Sequence, residues 1–157
     1  QANTPNQFSY LWPYSGTFSA VNALFEATHD KKYQKLLDKR VLPVWKNISI
    51  SKELLTLTHR TYKQHRHPDR FYDDNVWLGI DFTDIYQITQ EKRYLDKAQL
   101  IWKFIESGTD SLLGGGIYWC EQKKESKNTC SNAPALYSPL NYLKQLMTAS
   151  TSDKEKN

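Results

Sequence analysis

Tyr86-Gln87-Ile88-Thr89-Gln90-Glu91-Lys92-Arg93-Tyr94 repeats, 61 residues on, the pattern of Phe25-Glu26-Ala27-Thr28-His29-Asp30-Lys31-Lys32-Tyr33. In each copy one apolar run ends, a short polar turn follows, and a Tyr opens the next apolar stripe. This is the corner of an αα-hairpin used twice. Repeated hairpins build stacked helix pairs, as an open solenoid or a closed toroid. Working outward, residues 16–28 carry Phe18, Val21, Leu24 and Phe25 at helical spacing. Residues 31–48 form a clearer stripe through Tyr33, Leu36, Leu37, Val41, Val44, Trp45 and Ile48, with Pro43 expected to bend it. Residues 74–88 are apolar on more than one side, whereas 92–106 return to a one-sided stripe. Alternation of an enclosed helix with an amphipathic one favours the toroid, where inner helices are buried and outer ones face water. Trp12-Pro13-Tyr14-Ser15-Gly16 is expected to precede the first helix, with an aromatic at the barrel mouth. His65-Arg66-His67-Pro68-Asp69-Arg70 is read as a loop.

The bulk composition is that of an ordinary soluble domain, with 39% apolar and 24% charged residues. Aromatics stand out at ten Tyr, six Phe and five Trp. The 21 basic and 17 acidic side chains give a net charge of +4 and are spread along the chain, apart from a lysine-rich stretch at 123–127. Nucleic acid calls for a concentrated basic face and ranks low as a partner. No apolar run approaches a membrane span. The polar lead Gln1-Ala2-Asn3-Thr4-Pro5-Asn6 is what a processed, exported chain looks like, although an engineered start looks the same. A Cys120–Cys130 disulfide fits export; two reduced thiols are the alternative. Two Cys with no nearby His make a poor zinc site, and the His65/His67 pair is read as a solvated loop, so no metal is expected.

Chemistry concentrates in Phe71-Tyr72-Asp73-Asp74-Asn75-Val76-Trp77. Glycosidic hydrolysis needs one carboxyl to protonate the leaving oxygen and another to attack or to activate water. Aromatic rings offer flat apolar faces to a sugar. The bland reading of Asp-Asp at a helix start is a cap and a partner for the helix dipole. A second motif weighs against it: Gly114-Gly115-Gly116-Ile117-Tyr118-Trp119, then Lys127-Asn128, then Ser131-Asn132-Ala133-Pro134-Ala135.

Together with the Thr-polar-polar-Lys-x-Tyr corners, these two motifs resemble glycoside hydrolase family 76, which contains endo-α-1,6-mannanases on an (α/α)6 barrel. The resemblance runs in order from about residue 10 to 137. It implies an all-α fold, a partial (α/α)6 toroid of αα-hairpins, with 1–137 the N-terminal part of the glycosidase domain. It implies a retaining mechanism with Asp73 as nucleophile and Asp74 as general acid/base, an α-mannan substrate, and no cofactor. A retaining pair sits about 5–5.5 Å apart, which adjacent residues at a loop-to-helix junction can satisfy. Candidate sugar contacts are Tyr72, Asn75, Trp77, Gly115, Gly116, Trp119 and Asn132. Core packing is the alternative for Trp77, a plain loop for the glycines, and helix capping for Asn128 and Asn132. Asp81 and Asp84 are either a polar cleft face or mere solvation.

From Ser138 the corner pattern stops. One codon choice for 138–151, read in a shifted frame, spells Thr-Phe-Glu-Leu-Ser-Lys-Ala-Thr-Asn-Asp-Ser-Lys-Tyr, which is again a corner. Residues 138–157 are therefore expected to be a divergent, disordered tail left by a frameshift, a true truncation being the competing account. The leading expectation is an α-1,6-mannan hydrolase or the N-terminal part of one, exported, inactive as this chain alone, and self-associating through its incomplete barrel. The alternative from another class is a catalytically inactive carbohydrate-binding helical-repeat protein.

Overall fold

The computed structural model describes residues 11–44 and 69–136. The end of the second helical stripe at Trp45–Ile48, the His65/His67 loop and the tail 138–157 lie outside the described residues. Within them the elements are α1 (Leu11–Thr28), α2 (Lys31–Leu36), a π-helical turn (Leu37–Val41), α3 (Tyr72–Thr89), α4 (Lys92–Ser107) and α5 (Thr129–Ala135). No strand longer than an isolated bridge occurs among the described residues.

The repeated corner folds the same way twice. His29 and Gln90 take the left-handed conformation, at φ 51° and 57°. Their amides donate to Phe25 and Tyr86 carbonyls at 2.8 and 2.7 Å. Thr28 and Thr89 each donate a hydroxyl one turn back, to Leu24 and Ile85, and each accepts from the residue two ahead, Asp30 or Glu91. The left-handed residue ends one helix and the extended residue after it begins the next. Both corners are then tied together: Asp38 accepts from the Tyr94 hydroxyl and pairs with Arg93, and Gln34 donates to Glu91.

Two boundaries differ from the sequence reading. The described part of the first helix, from Leu11, already includes Trp12-Pro13-Tyr14-Ser15-Gly16, which lies within the helix rather than preceding it. Pro43 acts upstream of itself: the ladder widens over Leu37–Val41, where the Leu42 amide reaches back five residues to the Leu37 carbonyl. A proline ring crowds the carbonyl four residues earlier, and a π turn relieves that contact.

α3 is the most enclosed helix, burying Tyr72, Asn75, Val76, Leu78, Gly79, Ile80, Asp81, Phe82, Thr83 and Ile85 on several faces. α4 packs along it with one stripe: Tyr94, Ala98, Ile101, Trp102, Phe104 and Ile105. Tyr72 stacks on Phe104 with ring centroids 4.6 Å apart. Gly108, which closes α4, lies so close to that Tyr72 ring that a Cβ would meet its Cζ at 2.5 Å. α1 packs against the other side of α3, with Phe18 edge-on to Phe82 at 4.9 Å and Trp12 edge-on to Trp77 at 6.2 Å. Both pairs run in the same chain order, so α1 and α3 are parallel and their N-termini share one end of the molecule.

The α1–α3 interface encloses a carboxyl. Asp81 is 2% exposed; Ser19 Oγ donates to its Oδ1 at 2.7 Å, and Asn22 Nδ2 donates to its backbone carbonyl at 2.8 Å. Asp81 Oδ2 and Asn22 Oδ1 are buried acceptors with no donor among the described residues. Burial pushes the Asp81 carboxyl up to about 8, against the opposing hydrogen bond from Ser19 and with a further push from Asp84. Its bound proton therefore contributes stability in full below the ordinary value of 3.8, and that contribution is lost as pH rises through about 8. The thermal midpoint is expected to fall by at least about 3 °C between pH 5 and pH 9. Asp81→Asn, which cannot ionise, is expected to flatten that slope. Melts of both proteins across this range check it, and an equally steep slope in the variant contradicts the assignment.

Candidate active site

The start of α3 is held by a short antiparallel pairing. Phe71 is extended and bridges Cys120. The Tyr72 amide donates to the Trp119 carbonyl at 2.9 Å, and the Glu121 amide donates to the Arg70 carbonyl at 2.9 Å. The half-buried Arg70 guanidinium forks onto both carboxylate oxygens of Glu121. A helix start has amides without acceptors, and the glycine-rich loop supplies one of the partners.

This pairing sets the geometry of the carboxylates. Asp73 and Asp74 occupy the first turn of an 18-residue helix, where negative charge is favoured. The Trp119 indole N–H donates to Asp73 Oδ2 at 3.1 Å, while Asp73 Oδ1 is buried with no hydrogen-bond partner among the described residues. Trp119 is itself positioned by its ring contact with Phe71, 4.8 Å between centroids. Asp74 is half-buried, and burial first and the neighbouring Asp73 charge second push it up to about 6. Asp74 therefore keeps its proton to a higher pH than an ordinary aspartate does, beside a carboxylate held by the Trp119 indole.

Other candidate residues fall into two groups. Trp119 and Trp77 are partly open, and Trp77 lines an apolar groove of about 460 Å³ with Ile80, Ala133, Pro134 and Leu136. Gly115 is exposed with open space above its Cα. Tyr72, at 1% exposure, and Asn75, at 0%, point into the core instead, and the Asn75 amide donates to the Phe71 carbonyl at 2.7 Å. Asn132 clamps the glycine loop: its Oδ1 accepts from the Ile117 amide at 2.7 Å, and its Nδ2 donates to the Ile117 and Asn128 carbonyls. Gly116, at φ +105°, allows this, since a Cβ there would lie 2.4 Å from Asn132 Oδ1. Asn128 precedes α5 without a side-chain cap bond.

Asp81 is neither a cleft face nor a solvated charge, being sealed between α1 and α3. Asp84 is pushed up to about 6 by burial and by Glu26. Cys120 and Cys130 are both free thiols. They sit in different surroundings: Cys120 is buried under the Phe71 bridge, whereas the exposed Cys130 thiol faces Asp73, and burial and that charge push it up. Lys127 is nearly buried and holds the loop from below, donating to the Asp110 carboxylate, the Asp110 carbonyl and the Gly114 carbonyl at 2.7–2.9 Å. The Arg70–Glu121 fork and the Cys130–Asp73 approach carry no sequence signal, because their partners lie more than fifty residues apart in the chain. Among the described residues no group of three or more His, Cys, Asp or Glu is placed to hold a metal ion, and no helix is long and apolar enough to cross a membrane.

Helical hairpins that alternate an enclosed helix with a one-sided one define part of a helical toroid, and the adjacent carboxylates stand at the start of its enclosed helix. Residues 1–138 match Glycosyl hydrolase family 76, and the chain belongs to that family. Its structure is similar to a family 76 glycoside hydrolase from a bovine Bacteroides thetaiotaomicron strain (32% identity, 85% of this chain and 29% of that one, TM-score 0.70). It is also similar to a family 76 α-mannanase of Bacteroides thetaiotaomicron (28% identity, 87% and 39%, TM-score 0.72). The α-1,6-mannanase of Salegentibacter sp. shares the fold (24% identity, 98% and 40%, TM-score 0.69). The chain thus spans 29–40% of the length of these proteins, and its helices are part of an (α/α)6 toroid. A comparison with the curated proteins gives no match.

The clamp on the glycine loop is testable by Gly116→Ala, which combines a strained positive φ with the Asn132 clash. It is expected to cost about 1–3 kcal/mol, read by urea unfolding, and a cost indistinguishable from zero contradicts the clamp.

Proposed function

We propose that this chain carries the catalytic pair of a retaining hydrolase of α-1,6-linked mannan, with Asp73 as nucleophile and Asp74 as general acid/base. The observation that carries the reading is the division within the pair. Asp74 is raised to about 6 by burial and by Asp73, while Asp73 is oriented by the Trp119 indole. In the first step Asp74 protonates the leaving glycosidic oxygen as Asp73 Oδ attacks the anomeric carbon, forming a glycosyl ester. In the second, Asp74, now ionised, takes a proton from water as that water displaces Asp73. Family membership supports the glycosidase class. The linkage is supported by the Salegentibacter enzyme, whose inactive variants with two adjacent aspartates replaced hold α-1,6-mannotetrose and α-1,6-mannotriose.

A polymeric substrate fits an exported enzyme, because a long glycan cannot reach a cell interior. The chain spans 29–40% of the length of these relatives, and turnover needs subsites that bind and distort the sugar, so turnover by the 157 residues alone is expected to be low. The apolar groove and the 77% exposed Leu136 beside it support self-association, with a second copy covering that surface. Sedimentation velocity reads this, and a clean monomer at high concentration opposes it.

The assay for the reaction is reducing-end release from α-1,6-mannan, run on this chain and on a version carrying further barrel hairpins. Asp73→Asn is expected to abolish turnover, and Asp74→Asn to lower it by about 10²–10⁴-fold, with helix content unchanged. Because Asp74 must be protonated to act as acid, activity should decline as pH rises through about 6. Normal turnover by either variant overturns the roles. Binding of mannan with no turnover in any form favours the carbohydrate-binding reading instead.

A further inference from the structure

We infer that Trp12 is an additional sugar-stacking platform, at the same end of the molecule as the carboxylates; this rests on the glycan reading above. Trp12 is the second residue of α1 and is 57% exposed, an unusual place for a large apolar ring. Its first turn is held by the Ser15 hydroxyl, which donates to the Trp12 carbonyl at 2.9 Å, so the indole stands on a fixed backbone. Trp77 meets it at 6.2 Å with ring planes 78° apart. Among the described residues this edge-on contact occupies at most one face of the Trp12 ring, and more than half of the residue is open to a ligand.

Location selects the ligand. α1 and α3 run parallel, with Phe18 level with Phe82 and Trp12 level with Trp77. Trp77 lies one helical turn after Asp73, so the two share a face of α3. Trp77 therefore stands about a turn from Asp73, and the exposed Trp12 indole lies 6.2 Å from Trp77, where a neighbouring sugar of a bound chain would lie. A pyranose has a face of C–H groups that packs on the electron-rich face of an aromatic ring, while its hydroxyls remain in water. A ring fixed at a helix start does this with little loss of side-chain freedom.

The test is a titration of the whole 157-residue chain with α-1,6-mannotetraose, followed by the indole N–H resonances. The Trp12 signal is identified by its disappearance in Trp12→Phe. Trp12 and Trp119 signals should both shift and saturate together. Trp12→Ala should weaken binding about tenfold, and Trp12→Phe, which keeps a flat face, by no more than about threefold. A shift at Trp119 without one at Trp12, or unaltered affinity in Trp12→Ala, overturns the platform and leaves the glycan reading intact. Silence of every indole overturns the glycan reading and the platform with it. If circular dichroism shows that Trp12→Ala does not fold, the Trp12 resonance in the unaltered chain decides the matter alone.

Discussion

The Tyr72 amide on the Trp119 carbonyl is the contact on which the site depends. It satisfies an amide that the start of α3 leaves without an intrahelical acceptor, and so sets where the helix begins. It also brings the glycine-rich segment against that start, so the Trp119 indole falls on Asp73. Everything nearby reinforces the same pairing: the Phe71–Cys120 bridge, the Arg70–Glu121 fork and the Phe71–Trp119 ring contact. Behind it, Lys127 and Asn132 spend their hydrogen bonds on the loop backbone rather than on solvent. The glycines permit the close approach, and the polar side chains lock it.

α3 performs two tasks that conflict energetically. As the most enclosed helix it must bury surface, yet it carries Asp74, Asp81 and Asp84, all raised by burial. Placing carboxyls in a low-dielectric setting is costly unless they are protonated or paired. At Asp74 the cost raises the carboxyl to about 6, which is what the proposed role of general acid requires. At Asp81 it yields only a junction between α1 and α3, held by Ser19 and Asn22. The same physical effect acts on the candidate pair at one end of the helix and on helix pairing two turns away.

The corner at Phe25–Tyr33 and Tyr86–Tyr94 shows why the fold can repeat. Each copy closes with its own local bonds, a left-handed residue, a Thr hydroxyl and an extended residue that begins the next helix. Such a unit needs nothing distant to form. The Asp38–Tyr94–Arg93 cluster then joins one hairpin to the next through residues at the outer corners, leaving the inner ends free for the site.

What the sequence determined by itself is what depends on near neighbours. The 61-residue repeat placed both corners, helical spacing placed α3 and α4 to within two residues, and the Asp73–Asp74 and glycine motifs marked two segments that the fold brings together. Features requiring contacts between distant segments were decided by tertiary structure. Tyr72 and Asn75 read as sugar contacts beside the carboxylates, but helix rotation turns them into the core against Phe104 and the Phe71 carbonyl. Asn132 read as a sugar contact or a helix cap and Gly116 as a sugar contact or a plain loop; in the fold Asn132 holds the Ile117 backbone and Gly116 leaves room for it. The two cysteines, ten residues apart, have the spacing of a bridge, yet the turn between them sends one beneath Phe71 and the other toward Asp73. A hydrogen-bonding group's role is set by which partner reaches it first in space, and across fifty residues only the folded chain can choose that partner.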